Sequence, residues 1–60
     1  MNLYIGQKIS FEVPYFESKF KFDGQIISFK NSYIKVEYEN IIDDKRFILQ
    51  TEITENQIVN

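Results

Sequence analysis

Cysteine, histidine, tryptophan and alanine are absent from this 60-residue chain, which carries one proline and two glycines. Without cysteine no disulfide can staple the fold. Without cysteine or histidine, zinc and other transition metals lose their usual ligands. The same lack removes the imidazole base that would activate Ser10, Ser18, Ser28 or Ser32 as a nucleophile. Glycine-rich phosphate loops are missing too. The longest apolar runs, such as Phe47-Ile48-Leu49, are far too short to cross a bilayer. Residues 1–6 lack the basic start and apolar stretch of a secretory leader. A cytoplasmic protein with no membrane association is therefore expected. Seven Lys and Arg stand against nine Asp and Glu, a net charge of −2, whereas a duplex-DNA binder usually carries a basic excess.

What the chain does have is aromatic bulk, with six Phe and four Tyr. Its length leaves room for one domain, residues 1–60. Ordering such a chain costs on the order of 1.5 kcal/mol per residue, which apolar burial only just offsets. Dense aromatic packing, self-association, or both must supply the difference. Ile, Asn, Lys, Phe and Tyr are heavily used, and their codons are A/T-rich. This vocabulary points to a low-GC bacterium, its plasmid or its phage.

Period-2 alternation runs through the chain and predicts strands. In residues 7–13, Ile9, Phe11 and Val13 share one face. Pro14 is expected to end that ladder, leaving 14–18 as a loop that carries Tyr15 and Phe16. Residues 19–30 form the longest candidate strand. The alternation falters at Gly24, where a bulge would place Phe20, Phe22, Ile27 and Phe29 together. A hinge without a bulge would turn Ile26 inward instead, and a third reading makes Asp23-Gly24 a hairpin turn. Asn31-Ser32 reads as a turn. In residues 33–40, Ile34, Val36 and Tyr38 alternate with Tyr33, Lys35, Glu37 and Glu39. Residues 40–44 read as a loop. In 45–53, Phe47, Leu49, Thr51 and Ile53 oppose Arg46, Ile48, Gln50 and Glu52. Thr54-Glu55-Asn56-Gln57 has capping-box spacing, suited to one 3₁₀ turn, and Ile58-Val59 follows as a short closing strand.

The segments Ile5-Gly6-Gln7-Lys8-Ile9, Asp23-Gly24-Gln25-Ile26, Tyr33-Ile34-Lys35-Val36 and residues 54–59 resemble the SH3-like barrels, including the Tudor and KOW groups. The resemblance implies an all-β fold: a five-stranded barrel with a single 3₁₀ turn before the last strand. Gly24-Gln25-Ile26-Ile27 and Ile58-Val59-Asn60 also resemble the type II dihydrofolate reductases, plasmid-encoded barrels of the same class. In those enzymes a Val-Gln-Ile-Tyr stretch lines the active-site pore. Here the corresponding region reads Phe47-Ile48-Leu49-Gln50-Thr51 and lacks the aromatic, so the likeness does not extend to the active site.

The expected function is a small, non-catalytic binding module that acts through protein–protein contact, with no cofactor. It would suit a phage or plasmid accessory protein that modulates a host protein. Tyr15, Phe16, Tyr33, Ile41 and Ile42 are the predicted contact residues, because Tyr and Phe make good anchors. Tyr15 and Phe16 have a second reading, folded back as a cap over the barrel end. Ile41, Ile42 and Ile48 exceed what so small a core can bury and point to a homodimer. The alternative is single-stranded DNA or RNA binding through Lys19, Lys21, Lys30 and Lys35, with nearby aromatics stacking on bases. The paired carboxylates Asp43-Asp44, Glu37/Glu39 and Glu52/Glu55 read as solvated polar surface, and no metal site is expected.

Overall fold

The structure, a computed structural model, describes residues 2–59. Four strands follow one another: β1 (Lys8–Tyr15), β2 (Ser18–Lys30), β3 (Tyr33–Ile42) and β4 (Lys45–Ile53). A 3₁₀ turn at Glu55–Gln57 comes after them. Each strand pairs antiparallel with the next, in the order β1-β2-β3-β4.

Two-residue loops join the strands, because Tyr15 pairs with Ser18, Lys30 with Tyr33, and Ile42 with Lys45. Such tight turns need left-handed backbone. It is supplied by Phe16 (φ 56°), Asn31 (φ 56°), and Asp43 and Asp44 (φ 52° and 63°). Asn and Asp tolerate that conformation; Phe does not.

One face of the sheet carries the core, made of Ile9, Phe11, Ile26, Ile34, Val36 and Ile53. Leu3 from the N-terminal segment and Ile58 from the C-terminal segment pack against it. Phe11, Phe22 and Tyr38 form an aromatic triangle, with the Phe11 and Tyr38 rings edge-to-face at 5.5 Å between centroids. Of the choices left open around Gly24, the one without a bulge at the glycine agrees with the inward Ile26, and the register slips further on. Asp23 and Gly24 lie within β2, opposite Ser10 and Ile9, so they form no turn. Ile26 points inward opposite Val36, and the register slips between Ile26 and Ser28. Ile27 is the extra residue. That bulge returns Phe29 to the core face opposite Ile34.

The five-stranded SH3-like barrel is not what forms. The sheet has four strands, β1 and β4 do not pair, and it does not close on itself. The expected closing strand at Ile58-Val59 reduces to a single bridge between Ile58 and Phe11, with Val59 N–H donating to the Ser10 carbonyl at 2.9 Å. Asn60, part of the reductase resemblance, lies outside the described residues. The physical reason lies in the pairing: past Gly24 β2 and β3 share no ladder, so the two halves of the sheet part, and Ile58 meets β1 through one bridge without joining it to β4. The strands are also longer than expected. Pro14 stays inside β1, where its missing N–H falls on the outward edge, and β3 runs on through Ile41 and Ile42.

The 3₁₀ turn pins the C-terminal segment to β1. Gln57 Oε1 accepts from Thr54 N–H at 2.9 Å, and Gln57 Nε2 donates to the Glu12 carbonyl at 3.0 Å. Gln57→Ala removes both bonds and is expected to lower stability by about 1–2 kcal/mol. A urea titration would read this as a lower midpoint with an unchanged slope. Among the described residues no helix is long and apolar enough to cross a membrane.

Candidate functional site

β2 and β3 are paired only from Gly24–Tyr38 to Lys30–Tyr33. Beyond Gly24, the first six residues of β2 pair with β1 alone, and Glu39 to Ile42 of β3 pair with β4 alone. The sheet therefore forks into a β1–β2 arm and a β3–β4 arm. Toward the tips of the arms the core-face residues Tyr15, Phe20, Ile42 and Phe47 run out beyond the packed centre and stay exposed.

On the β1–β2 arm, Tyr15 packs against both Phe16 and Phe20. Ring centroids lie 4.6 Å apart for Tyr15–Phe16 and 5.4 Å for Tyr15–Phe20. Phe16 is 90% exposed, Tyr15 58% and Phe20 49%. Neither loop aromatic folds back as a cap. On the β3–β4 arm, Ile42 and Phe47 occupy the same face of the sheet and are also exposed.

The other expected contact residues are scattered. Ile41 sits on the opposite face, on the diagonal from Ile48, and both are about three-fifths exposed at 61% and 62%. Ile42, its neighbour in sequence, points the other way. Tyr33 is at the far end of the sheet, beside the β2–β3 loop. The structure thus joins Tyr15 with Phe16 and adds Phe20, which the alternation assigns to the core. Its spacing from Phe22 is visible in the sequence; its position past the fork is not.

The four lysines share the outer face but divide into two pairs. Lys19 and Lys21 lie on the β1–β2 arm, and Lys30 and Lys35 near the β2–β3 loop. Lys21 and Lys30 are nine positions apart along β2, roughly 30 Å. Between the pairs an open cleft of about 650 Å³ sits at the fork, and Asp23, Glu37 and Glu39 line it beside Lys8. Asp23 accepts from the Ser10 hydroxyl, and Glu37 accepts from Gln50 Nε2 at 3.2 Å. Glu39 pairs with Arg46 at 3.2 Å. Glu37 and Glu39 share a face, as the alternation predicts. Among the described residues no group of three or more His, Cys, Asp or Glu side chains could hold a metal ion. Asp43-Asp44 makes the β3–β4 turn.

No family model, curated protein or solved structure matches this chain. The resemblances to SH3-like barrels and to type II dihydrofolate reductases gain no support from these comparisons, and the open sheet overturns the barrel itself. The functional reading rests on the site alone.

Proposed function

We propose that this chain is a non-catalytic protein-binding module whose contact surface is the aromatic tip of the β1–β2 arm. Phe16 is the observation that carries the reading. Left-handed backbone at a bulky residue costs about 1–3 kcal/mol. At 90% exposure the ring gains the fold little beyond its edge-to-face contact with Tyr15. The other two hairpin loops place Asn or Asp at the equivalent positions. Stability therefore does not account for Phe at position 16, whereas a partner that buries the ring would. Tyr15 packs edge-to-face on the ring and is itself packed against Phe20, so the three aromatics stand as one exposed row that a partner could cover.

The nucleic-acid alternative has weaker support. Only two lysines adjoin in each group, and the carboxylates at the fork repel phosphate. A shift of single-stranded oligonucleotides at low salt that vanishes steeply as salt rises would revive it.

The test is Phe16→Asn. Relief of strain predicts a thermal midpoint no lower than that of the original chain, with a gain of up to about 1 kcal/mol. A photo-cross-linker placed at Glu17 should join the original chain to a defined partner and lose that adduct in Phe16→Asn. A variant that melts well below the original, or that keeps the adduct in full, would show that Phe16 serves the fold instead.

A further inference from the structure

The two edges of the sheet are treated differently. In a two-residue hairpin the residues flanking the loop exchange both backbone hydrogen bonds, and bonded and non-bonded pairs then alternate along the ladder. Counting from Tyr15–Ser18, the outward-facing backbone groups of β1 belong to Lys8, Ser10, Glu12 and Pro14. Two carbonyls of that edge are occupied: Ser10 by Val59 N–H and Glu12 by the Gln57 side chain. Pro14 has no N–H to offer. Those bonds fall where the count places them.

The same count from Ile42–Lys45 turns the backbone groups of Arg46, Ile48, Gln50 and Glu52 outward from β4. Among the described residues nothing pairs with that edge. It is a full strand without proline, and its centre, Ile48-Leu49-Gln50, carries no charge. Unguarded edges of this kind invite another strand.

We propose that the β4 edge pairs antiparallel with β4 of a second copy of this chain, about a two-fold axis at Leu49. The charge pattern selects this occupant. In that register Arg46 of each copy stands opposite Glu52 of the other, on the outer face, and symmetry makes the ion pair twice. Ile48 meets Gln50, and Leu49 meets Leu49. All these matches respect the outward-facing set, since residues bonded across the new ladder must both offer outward groups. Sliding one step in one direction sets Glu52 against Asp44; sliding in the other sets Arg46 against Thr54 and Glu52 against Ile48. Of these three registers, only the Leu49-centred one sets both Arg46 and Glu52 opposite a charge of the other sign, in addition to their neighbours Glu39 and Lys35 within the chain. It also covers part of Ile48 and Phe47, which are 62% and 42% exposed. The two forked sheets then become one continuous sheet, and the aromatic tips remain free. The pairing does not depend on the binding role of Phe16, and Phe16→Asn should leave it intact.

Sedimentation equilibrium from micromolar to millimolar concentration reads the assembly directly. The original chain should sediment at twice its 7.2 kDa mass. Arg46→Glu and Glu52→Arg, both exposed positions, should each weaken association at low salt by about tenfold or more, since each sets like charges opposite one another. Mixing the two single variants should restore dimers, because position 46 of either chain then faces the opposite charge at position 52 of the other. The double variant should recover as well. Within one chain it sets a carboxylate at position 46 beside Glu39 and a guanidinium at position 52 beside Lys35. Both contacts are unfavourable, so recovery can only come from pairing between copies. A monomer at millimolar concentration overturns the proposal. So does a dimer indifferent to both charge reversals, or single variants whose mixture stays monomeric.

Discussion

Gly24→Ala is expected to unfold most of the protein at room temperature. The added Cβ would lie 2.7 Å from the Glu37 carbonyl oxygen, 3.1 Å from Phe11 Cε1 and 3.2 Å from Tyr38 Cβ. The first contact is with backbone inside a paired strand and cannot turn aside. Relief would require β2 and β3 to separate at the first pair they make, which is the fork itself. Overpacking costs about 1–3 kcal/mol, occasionally more, and an obstacle of paired backbone puts this site at the upper end, while a core of this size rarely supplies more than about 3–5 kcal/mol in all. Far-ultraviolet circular dichroism with a urea titration measures the outcome. A Gly24→Ala protein with the original midpoint would show that the strands do not approach so closely. The position also explains why the chain tolerates glycine within its longest strand, where it normally weakens pairing.

Phe11→Ala should have an effect of the same order. Phe11 is fully buried and contacts the rings of Phe22 and Tyr38. It also carries the single bridge to Ile58. Truncating such a side chain costs about 3–5 kcal/mol, again close to everything available. The expected result is loss of the near-ultraviolet tyrosine signal and of the cooperative unfolding transition. Phe11→Leu keeps most of the apolar volume and should still unfold cooperatively, at a lower midpoint. A Phe11→Ala chain as stable as the leucine variant would place the stabilising core elsewhere. These variants probe the packed half of the sheet; Phe16→Asn and the Arg46 and Glu52 reversals probe the exposed half. The two groups should separate cleanly into loss of folding and loss of association.

The alternation in residues 33–40 and 45–53 assigns the core face of β3 and β4 correctly at Ile34, Val36 and Ile53. The capping-box spacing at Thr54–Gln57 likewise predicts the 3₁₀ turn. These features are local, so a short window of sequence contains them. Sequence leaves a bulge, a hinge and a turn open at Gly24 and gives no sign of the slip at Ile27, because the glycine is the visible irregularity while the slip arises from pairing with β3. Pro14 reads as a terminator because nothing local reveals that its nitrogen falls on the outward side of the sheet. The contact set is only partly legible. Tyr15 and Phe16 are loop aromatics by sequence, but Phe20 and Phe47 look like core until the fork is seen. The outward edge of β4 leaves no signal in composition at all.

The order of residues by itself determined that this chain makes β-strands, and which side of most of them turns inward. It also excluded disulfides and histidine- or cysteine-based chemistry. Only the tertiary structure decided that the sheet stays open, that its arms part at Gly24, and that Phe16 stands exposed on a strained turn. The physical reason is that side-chain alternation reports which face is apolar. Whether edges meet depends on which backbone groups distant segments can reach, and that is decided only when the strands are assembled.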